Sequence, residues 1–163
     1  MKILVMSDSH RTINFMRFAA EREAPDLILH LGDHYNDAQQ LRQYFPDADI
    51  RAVMGNCDGY SYGGSELILT LDGVKIYMSH GHAYGVKTGL GALAGHAAEL
   101  GANLALYGHT HRAAIRIKRG ITVMCPGQME RNDARYAASY GIVTIENGAF
   151  DAKIIKLPAV INN

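Results

Sequence analysis

Five short apolar segments in this chain of 163 residues each lead directly to a side chain that can bind a metal. The segments have the length and residue types of buried β-strands, and they lie at residues 2–6, 27–31, 50–54, 75–78 and 104–107. Residues 12–23, between the first two segments, follow the amphipathic pattern of a helix. Because strands alternate with helices here, we predict an α/β fold built on parallel strands.

The rest of the chain contains two more predicted helices and a closely spaced series of strands. Asp37 and Gln40 have the spacing of a capping box, which predicts a helix that begins at Asp37 and continues to about Tyr44. The Ala- and Leu-rich residues 89–100 predict another helix. Strand-like runs follow at residues 114–117, 122–124, 140–145 and 151–155. This order predicts a mainly parallel half followed by an antiparallel half.

Side chains that can bind metals stand at the carboxyl end of every one of the five predicted strands. The candidate ligands are Asp8, His10, Asp33, Asn56, His80, His109 and His111. Side chains beyond the carboxyl ends of parallel strands converge on one crevice, so we expect one shared site. Carboxylate and amide oxygens combined with imidazole nitrogens suit Mn²⁺, Fe²⁺ or Zn²⁺ better than Ca²⁺. Seven ligands exceed what one tetrahedral site requires, and this favours two metals that share a bridging carboxylate.

The short motifs around these ligands resemble the signature of a known family. In chain order the motifs are Asp8-Ser9-His10, Gly32-Asp33, Gly55-Asn56-Cys57-Asp58, His80-Gly81-His82 and Gly108-His109-Thr110-His111. They resemble the five signature blocks of the calcineurin-like metallophosphoesterases, and in particular the small bacterial and archaeal single-domain phosphodiesterases of that family. The resemblance extends from residue 1 to about residue 127.

This resemblance implies both a fold and a division of the ligands between two metals. The implied fold is a four-layer αββα sandwich, in which two facing mixed β-sheets are flanked by helices. The implied ligands are Asp8, His10 and His111 at one metal, Asn56, His80 and His109 at the other, and Asp33 as the bridge.

The resemblance also implies an activity, which is that of a binuclear metal-dependent phosphodiesterase. Such an enzyme uses a metal-bridging hydroxide to hydrolyse a small phosphodiester substrate. Two divalent cations per chain are expected, with Mn²⁺ favoured and Fe²⁺, Ni²⁺ or Zn²⁺ as alternatives. The expected catalytic residues are Asp33, Asn56 and His80, and the expected substrate-binding residues are Cys57 and His82.

Cys57 departs from the general pattern of the family, which has a histidine directly after the asparagine. A thiol with an ordinary pKa of about 8.5 is a poor proton donor to an alkoxide at neutral pH. We therefore expect a preference for diesters with good leaving groups, such as aryl esters, over alkyl monoesters.

Charge and composition argue against several other classes of function. The chain has 16 Lys and Arg residues against 16 Asp and Glu residues, so no positive excess predicts nucleic-acid or membrane binding. No apolar run near the start has the length of a signal peptide or a membrane span, and two cysteines make no disulfide framework. We expect one cytoplasmic domain over residues 1–163 without a nucleic-acid groove, and the family resemblance implies a homodimer or a higher homo-oligomer.

The alternative function is a protein-interaction scaffold on the same fold with little catalytic activity. That alternative predicts lost metal ligands, whereas all seven positions carry ligand residues. Three further histidines are predicted to have structural positions and no role in the site. His30 is expected in the core, His34 in a loop and His96 on a helix surface. Residues 60–64 are interpreted as a loop near the site. A stripe of basic residues is interpreted as facing solvent, and it consists of Arg112, Arg116, Lys118 and Arg119.

Overall fold

Ten strands and three α-helices are present in the computed structural model, which describes residues 1–59, 63–130 and 136–158. The strands are β1 (Lys2–Met6), β2 (Leu27–His30), β3 (Asp49–Ala52), β4 (Glu66–Leu71), β5 (Val74–Ser79), β6 (Leu104–Leu106), β7 (Ala114–Lys118), β8 (Ile121–Cys125), β9 (Ser139–Glu146) and β10 (Ala149–Lys156). The helices are α1 (Ile13–Glu23), α2 (Tyr35–Tyr44) and α3 (Gly91–Glu99), with a 3₁₀ turn at His82–Tyr84. None of the helices in these ranges is long and apolar enough to cross a membrane. Residues 60–62 of the predicted loop lie outside the described residues.

The described strands form two mixed sheets of five strands each. The first sheet has the order β10-β9-β1-β2-β3, with β1 to β3 parallel and β9 and β10 antiparallel. The second has the order β4-β5-β6-β8-β7, with β5, β6 and β8 parallel and an antiparallel strand at each edge. The division into a parallel and an antiparallel half is therefore wrong, because β9 and β10 return to pair beside β1 and β8 pairs in parallel with β6.

Apolar side chains pack in three layers around the two sheets. Successive side chains of β1 point to opposite faces of the first sheet. Ile3 and Val5 belong to the cluster between the two sheets. Leu4 and Met6, on the opposite face of β1, pack with side chains of α1 and α2. A third cluster joins α3 to the outer face of the second sheet through residues such as Leu93. These contacts confirm the four-layer αββα sandwich.

The predicted helix cap at Asp37 is wrong. Helix α2 begins at Tyr35, after His34 in the left-handed conformation with φ of 71°. Asp37 lies inside the first turn, is 2% exposed, and accepts hydrogen bonds from Ser9 Oγ at 2.7 Å and the Arg11 amide at 2.8 Å. Because the carboxylate is engaged in this tertiary contact, it is not available to cap its own helix.

Strand β4 is the element that the sequence analysis does not predict. Most of its residues are exposed or half-buried, since β4 lies at the edge of the second sheet, beside β5. The hairpin that joins the two strands turns at Asp72-Gly73, where both residues have positive φ angles of 45° and 78°. An Asp-Gly pair between apolar runs is a strong hairpin signal, and this pair could have identified β4.

Candidate metal centre

Loops at the carboxyl ends of four strands bring six of the candidate ligands to one place. Two ligands follow β1, one follows β2, one follows β5 and two follow β6, in the order Asp8, His10, Asp33, His80, His109 and His111. Strands β1 and β2 belong to the first sheet, whereas β5 and β6 belong to the second. The site is therefore built by both sheets, where the ends of their parallel strands meet.

The first ligand group consists of Asp8, His10 and His111. One ligand atom from each side chain lies within 4.8 Å of the other two, a spacing at which three side chains can hold one cation. The Nε2 atom of His111 lies 3.2 Å from Oδ1 of Asp8, and the rings of His10 and His111 have centroids 5.4 Å apart. Asp8 is buried, and the two histidines are half-buried.

The second ligand group consists of Asp33, His80 and His109, whose ligand atoms also lie within 4.8 Å of one another. The Nε2 atom of His80 lies 3.4 Å from Oδ1 of Asp33. The same Nε2 atom lies 3.9 Å from Oδ1 of Asp8 in the first group. The two groups are therefore adjacent parts of one site, and His80 lies between their carboxylates.

Hydrogen bonds orient the ligand atoms of His80 and Asp8. The Nδ1 atom of His80 donates to the Leu31 carbonyl at 2.8 Å, which places the lone pair of the neutral ring on Nε2. The Oδ2 atom of Asp8 accepts hydrogen bonds from Ser7 Oγ at 2.6 Å and from the His109 amide at 3.1 Å. These bonds leave His80 Nε2 and Asp8 Oδ1 available to a cation.

Unsatisfied buried atoms indicate that the site is suited to cations. Among the residues that the structure describes, Asp8 Oδ1, His10 Nε2 and His80 Nε2 are buried without a hydrogen-bond partner. An unsatisfied buried polar atom costs about 1–3 kcal/mol, so three such atoms in one site require a compensating partner. Carboxylate oxygens and imidazole nitrogens are both ligands of divalent transition metals. The residues present therefore fit two divalent cations.

The electrostatics of the site keep its carboxylates ionised. Burial alone would raise the pKa of Asp8, but its contact with His111 and the charge of His80 outweigh burial and lower that pKa. The pKa of Asp33 is lowered too, because hydrogen bonding and charge from His80 outweigh burial. Burial disfavours a charge on His80, yet its contacts with Asp33 and Asp8 raise its pKa. Two ionised carboxylates surrounded by imidazoles attract a cation.

Five of the six ligands have a left-handed backbone, which is rare outside glycine. Their φ angles are 52° at Asp8, 43° at His10, 54° at Asp33, 65° at His109 and 60° at His111. A residue held in such a conformation costs about 1–3 kcal/mol, and such residues concentrate at active sites and ligand-binding loops. The fold therefore holds these loops in strained conformations that turn the ligand side chains toward one another.

Comparison with known proteins agrees with this geometry. The family model of the calcineurin-like phosphoesterase superfamily domain matches residues 1–148. The chain belongs to this superfamily. The probable metallophosphoesterase YsnB of Bacillus subtilis is 36% identical over 152 residues, which are 91% of this chain and 87% of YsnB. This superfamily uses divalent metals to hydrolyse phosphoesters, and the two ligand groups are candidate sites for such metals.

Solved structures of similar proteins share the fold of this phosphoesterase. A predicted phosphoesterase from Streptococcus pneumoniae is 26% identical, with a TM-score of 0.77 over 95% of this chain and 88% of the other. An archaeal phosphodiesterase is 22% identical, with a TM-score of 0.72 over 95% of this chain and the whole of the other. A zinc complex of Vps29 from Entamoeba histolytica is 18% identical, with a TM-score of 0.69 over 96% and 99% of the two chains.

A buried chain of hydrogen bonds supports the Asp8–His10 loop of the phosphoesterase. His30 Nε2 lies 3.0 Å from Ser9 Oγ, and Ser9 Oγ donates to Asp37 Oδ2 at 2.7 Å. Burial lowers the pKa of His30 to about 4, so the ring is neutral and serves as a core residue, as its apolar strand predicts. Because Ser9 lies between the histidine and the carboxylate and is fully buried, the network acts as a support and not as a nucleophilic triad.

Replacing Asp37 with Ala is expected to lower the Mn²⁺ affinity of the site by about 10–100-fold, because it removes a support of two ligands. The variant loses the acceptor of Ser9 Oγ, which lies within the Asp8–His10 loop, and of the amide of Arg11, which directly follows that loop. Titration calorimetry with Mn²⁺ measures the change. Asp47→Ala, at an exposed position, is the control, and Asp37→Asn should retain part of the affinity. An unchanged affinity in Asp37→Ala would contradict this role.

Asn56, Cys57 and His82 lie near the second ligand group with exposed side chains. The backbone amide of Cys57 donates to Asp33 Oδ1 at 2.9 Å, and the Asn56 side-chain amide donates to Cys57 Sγ at 3.4 Å. Desolvation and the carboxylate of Asp33 raise the pKa of the Cys57 thiol to about 11. The His82 ring centroid lies 5.5 Å from that of His80. The roles of Asn56 as a ligand and of Cys57 and His82 in substrate binding stay predictions.

A cavity of about 610 Å³ opens beside His109 and His111. Its lining includes Lys87 and Tyr136, to which the sequence analysis assigns no role. Burial, together with the ammonium of Lys87, lowers the pKa of His109 to about 4, so this imidazole is neutral and able to bind a metal. No local motif marks Lys87, because it reaches the site only through the packing of the loop before α3.

Proposed function

We propose that this phosphoesterase is a phosphodiesterase that holds two divalent cations, with Mn²⁺ favoured over Fe²⁺, Ni²⁺ and Zn²⁺. The observation that supports this most is the position of His80 Nε2, 3.4 Å from the Asp33 carboxylate and 3.9 Å from the Asp8 carboxylate. The two ligand groups are therefore adjacent, and each has three ligand atoms within 4.8 Å of one another, which supports a pair of cations. Two cations at one site are the arrangement that phosphoryl transfer to water uses in many hydrolases.

Different side chains bind the two cations in this proposal. Asp8, His10 and His111 hold one cation, while His80 and His109 hold the other together with the exposed amide of Asn56. The ionised carboxylate of Asp33, whose Oδ1 atom lies 3.4 Å from His80 Nε2, would be shared by the two cations. When bound, the cations supply an acidified water at neutral pH and neutralise the phosphoryl oxygens.

The proposed substrate is a small phosphodiester with a good leaving group. The pKa of the Cys57 thiol is raised to about 11, which makes the thiol a weak proton donor. The leaving oxygen therefore has to depart without efficient protonation by Cys57. His82 is exposed at the rim of the second ligand group, where it can donate a hydrogen bond to the non-bridging oxygens of the phosphate. Aryl diesters meet this requirement better than alkyl monoesters.

Metal-stripped protein should hydrolyse bis(4-nitrophenyl) phosphate at least about 100-fold more slowly than protein resupplied with Mn²⁺, because the ligand side chains alone do not activate water. Each of the other divalent ions is added in turn, and the release of 4-nitrophenolate is followed. An alkyl phosphomonoester, assayed for inorganic phosphate, tests the leaving-group preference. Full activity without any metal would refute the proposal.

The scaffold function remains the competing proposal, and the same assay separates the two. A scaffold with little catalytic activity predicts no hydrolysis with any metal. The presence of six converging ligands with buried unsatisfied atoms favours the enzyme, since a pure scaffold gains nothing from such atoms. Assembly into a homodimer or a higher homo-oligomer stays a prediction.

A further inference from the structure

The cavity beside the metal centre has a lining that the binding of two cations does not explain. It begins at His109 and His111 and extends away from the ligand groups over about 610 Å³. Its apolar part is contributed by Val86, Leu90 and Tyr107. This volume is in the range of pockets that bind small organic ligands, and it exceeds what a phosphate group alone occupies.

Three cationic side chains line this cavity, and they come from two separate parts of the chain. They are Lys87, before α3, Arg112, two residues before β7, and Arg116, in the middle of β7. Among the described residues, no Asp or Glu belongs to the lining, and none of the three cations forms an ion pair with a carboxylate. The chain as a whole has equal numbers of acidic and basic residues, so this unbalanced positive charge is local.

Arg112 is held in position at the wall of the cavity. Its Nε atom donates to Tyr136 Oη at 2.6 Å, and its guanidinium carbon lies 5.2 Å from the centroid of the Tyr136 ring. Its two terminal nitrogens donate no hydrogen bond to the residues that the structure describes. A guanidinium fixed through Nε presents these terminal nitrogens as a fork, which matches the oxygens of a phosphate.

We propose that the cavity binds the arm of the substrate beyond the scissile phosphorus and selects an arm that carries a second phosphate group. This inference rests on the proposed phosphodiesterase function. The scissile phosphate faces the cations of the metal centre, so it does not balance the charges of Lys87, Arg112 and Arg116. A second phosphate balances them, while the apolar part of the arm lies against Val86 and Leu90.

A matched pair of chromogenic substrates tests the selection. Thymidine 5′-(4-nitrophenyl phosphate) and its 3′-phosphate derivative differ only in the second phosphate, and both release 4-nitrophenolate. With Mn²⁺, we expect the kcat/KM of the 3′-phosphate substrate to be at least about tenfold higher, the effect of one or two charge-assisted hydrogen bonds. This ratio should fall to about 1 in the double variant Lys87→Gln/Arg112→Gln. Lys118→Gln removes an exposed cation of β7 outside the cavity and should keep the ratio.

A binding measurement supplies a readout that does not depend on turnover. Thymidine 3′,5′-bisphosphate should bind at least about tenfold more tightly than thymidine 5′-monophosphate by titration calorimetry, and the double variant should lose this difference. Hydrolysis of both chromogenic substrates at equal kcat/KM, or a preference that survives in the double variant, would overturn this inference and leave the phosphodiesterase proposal intact. No hydrolysis of either substrate with any divalent metal would overturn both.

Discussion

Replacing Asp33 with Asn is expected to lower the kcat/KM for bis(4-nitrophenyl) phosphate by about 10³-fold, which corresponds to ~4 kcal/mol. Asp33 is 3% exposed, and its Oδ1 atom lies 3.4 Å from His80 Nε2 and 2.9 Å from the Cys57 amide nitrogen. Asparagine keeps the shape of the side chain but removes the negative charge that the surrounding groups stabilise. The substitution therefore weakens cation binding at little cost in packing.

Hydrolysis at saturating Mn²⁺ and Mn²⁺ affinity by calorimetry are measured together on the Asp33→Asn variant. Adding His109→Ala should reduce activity little further, because both side chains act through the same ligand group. Asp47→Asn, at an exposed position, controls for the loss of one negative charge. Wild-type activity in the Asp33→Asn/His109→Ala variant would exclude this metal centre.

Replacing Gly32 with Ala is expected to destabilise the protein by about 3–5 kcal/mol and to abolish most of the activity. Gly32 has a φ of 96°, and a Cβ atom there would lie 2.6 Å from the Gly55 nitrogen and 2.9 Å from the Met54 carbonyl carbon. Both contacts are with backbone, which cannot rotate away as a side chain can. The loop before Asp33 and the loop before Asn56 would have to separate, and this separation moves a ligand of the second group.

Thermal unfolding measures the destabilisation, which for a domain of this size corresponds to a decrease in Tm of about 10 °C. Gly89→Ala is the matched control, because a Cβ atom at Gly89 has no neighbour within 4 Å. A Tm within about 2 °C of the wild type for Gly32→Ala would mean that the two loops do not pack this closely.

The sequence predicts well those features that depend on neighbouring residues. The alternation of β1 and the amphipathic pattern of α1 are local, and both elements appear within one residue of their predicted bounds. Elements whose residues serve distant contacts are predicted less well. Asp37 has the sequence pattern of a helix cap, but its carboxylate binds Ser9 and Arg11 instead. The pairing of β9 beside β1 depends on contacts over more than a hundred residues, which no local pattern encodes.

The basic residues next to the site illustrate the same limit. Alternating Arg and Lys residues on β7 indicate a solvent-facing strand, and Arg112 and Arg116 are indeed exposed. Their position on the wall of a cavity follows only from the way in which Lys87 and Tyr136 pack around the same space. Exposure can be predicted from a pattern, whereas the neighbours of an exposed side chain cannot.

The amino-acid sequence alone determined the family, the chemistry of the donors and the strand ends that carry them, because these depend on residue type and local order. Tertiary structure decided which donors form a group and which atom of each faces a cation. The left-handed backbone at Asp8, Asp33 and His109 is strained by itself and persists only because packing and hydrogen bonds from both sheets hold it. Such long-range support has no local signature in the chain.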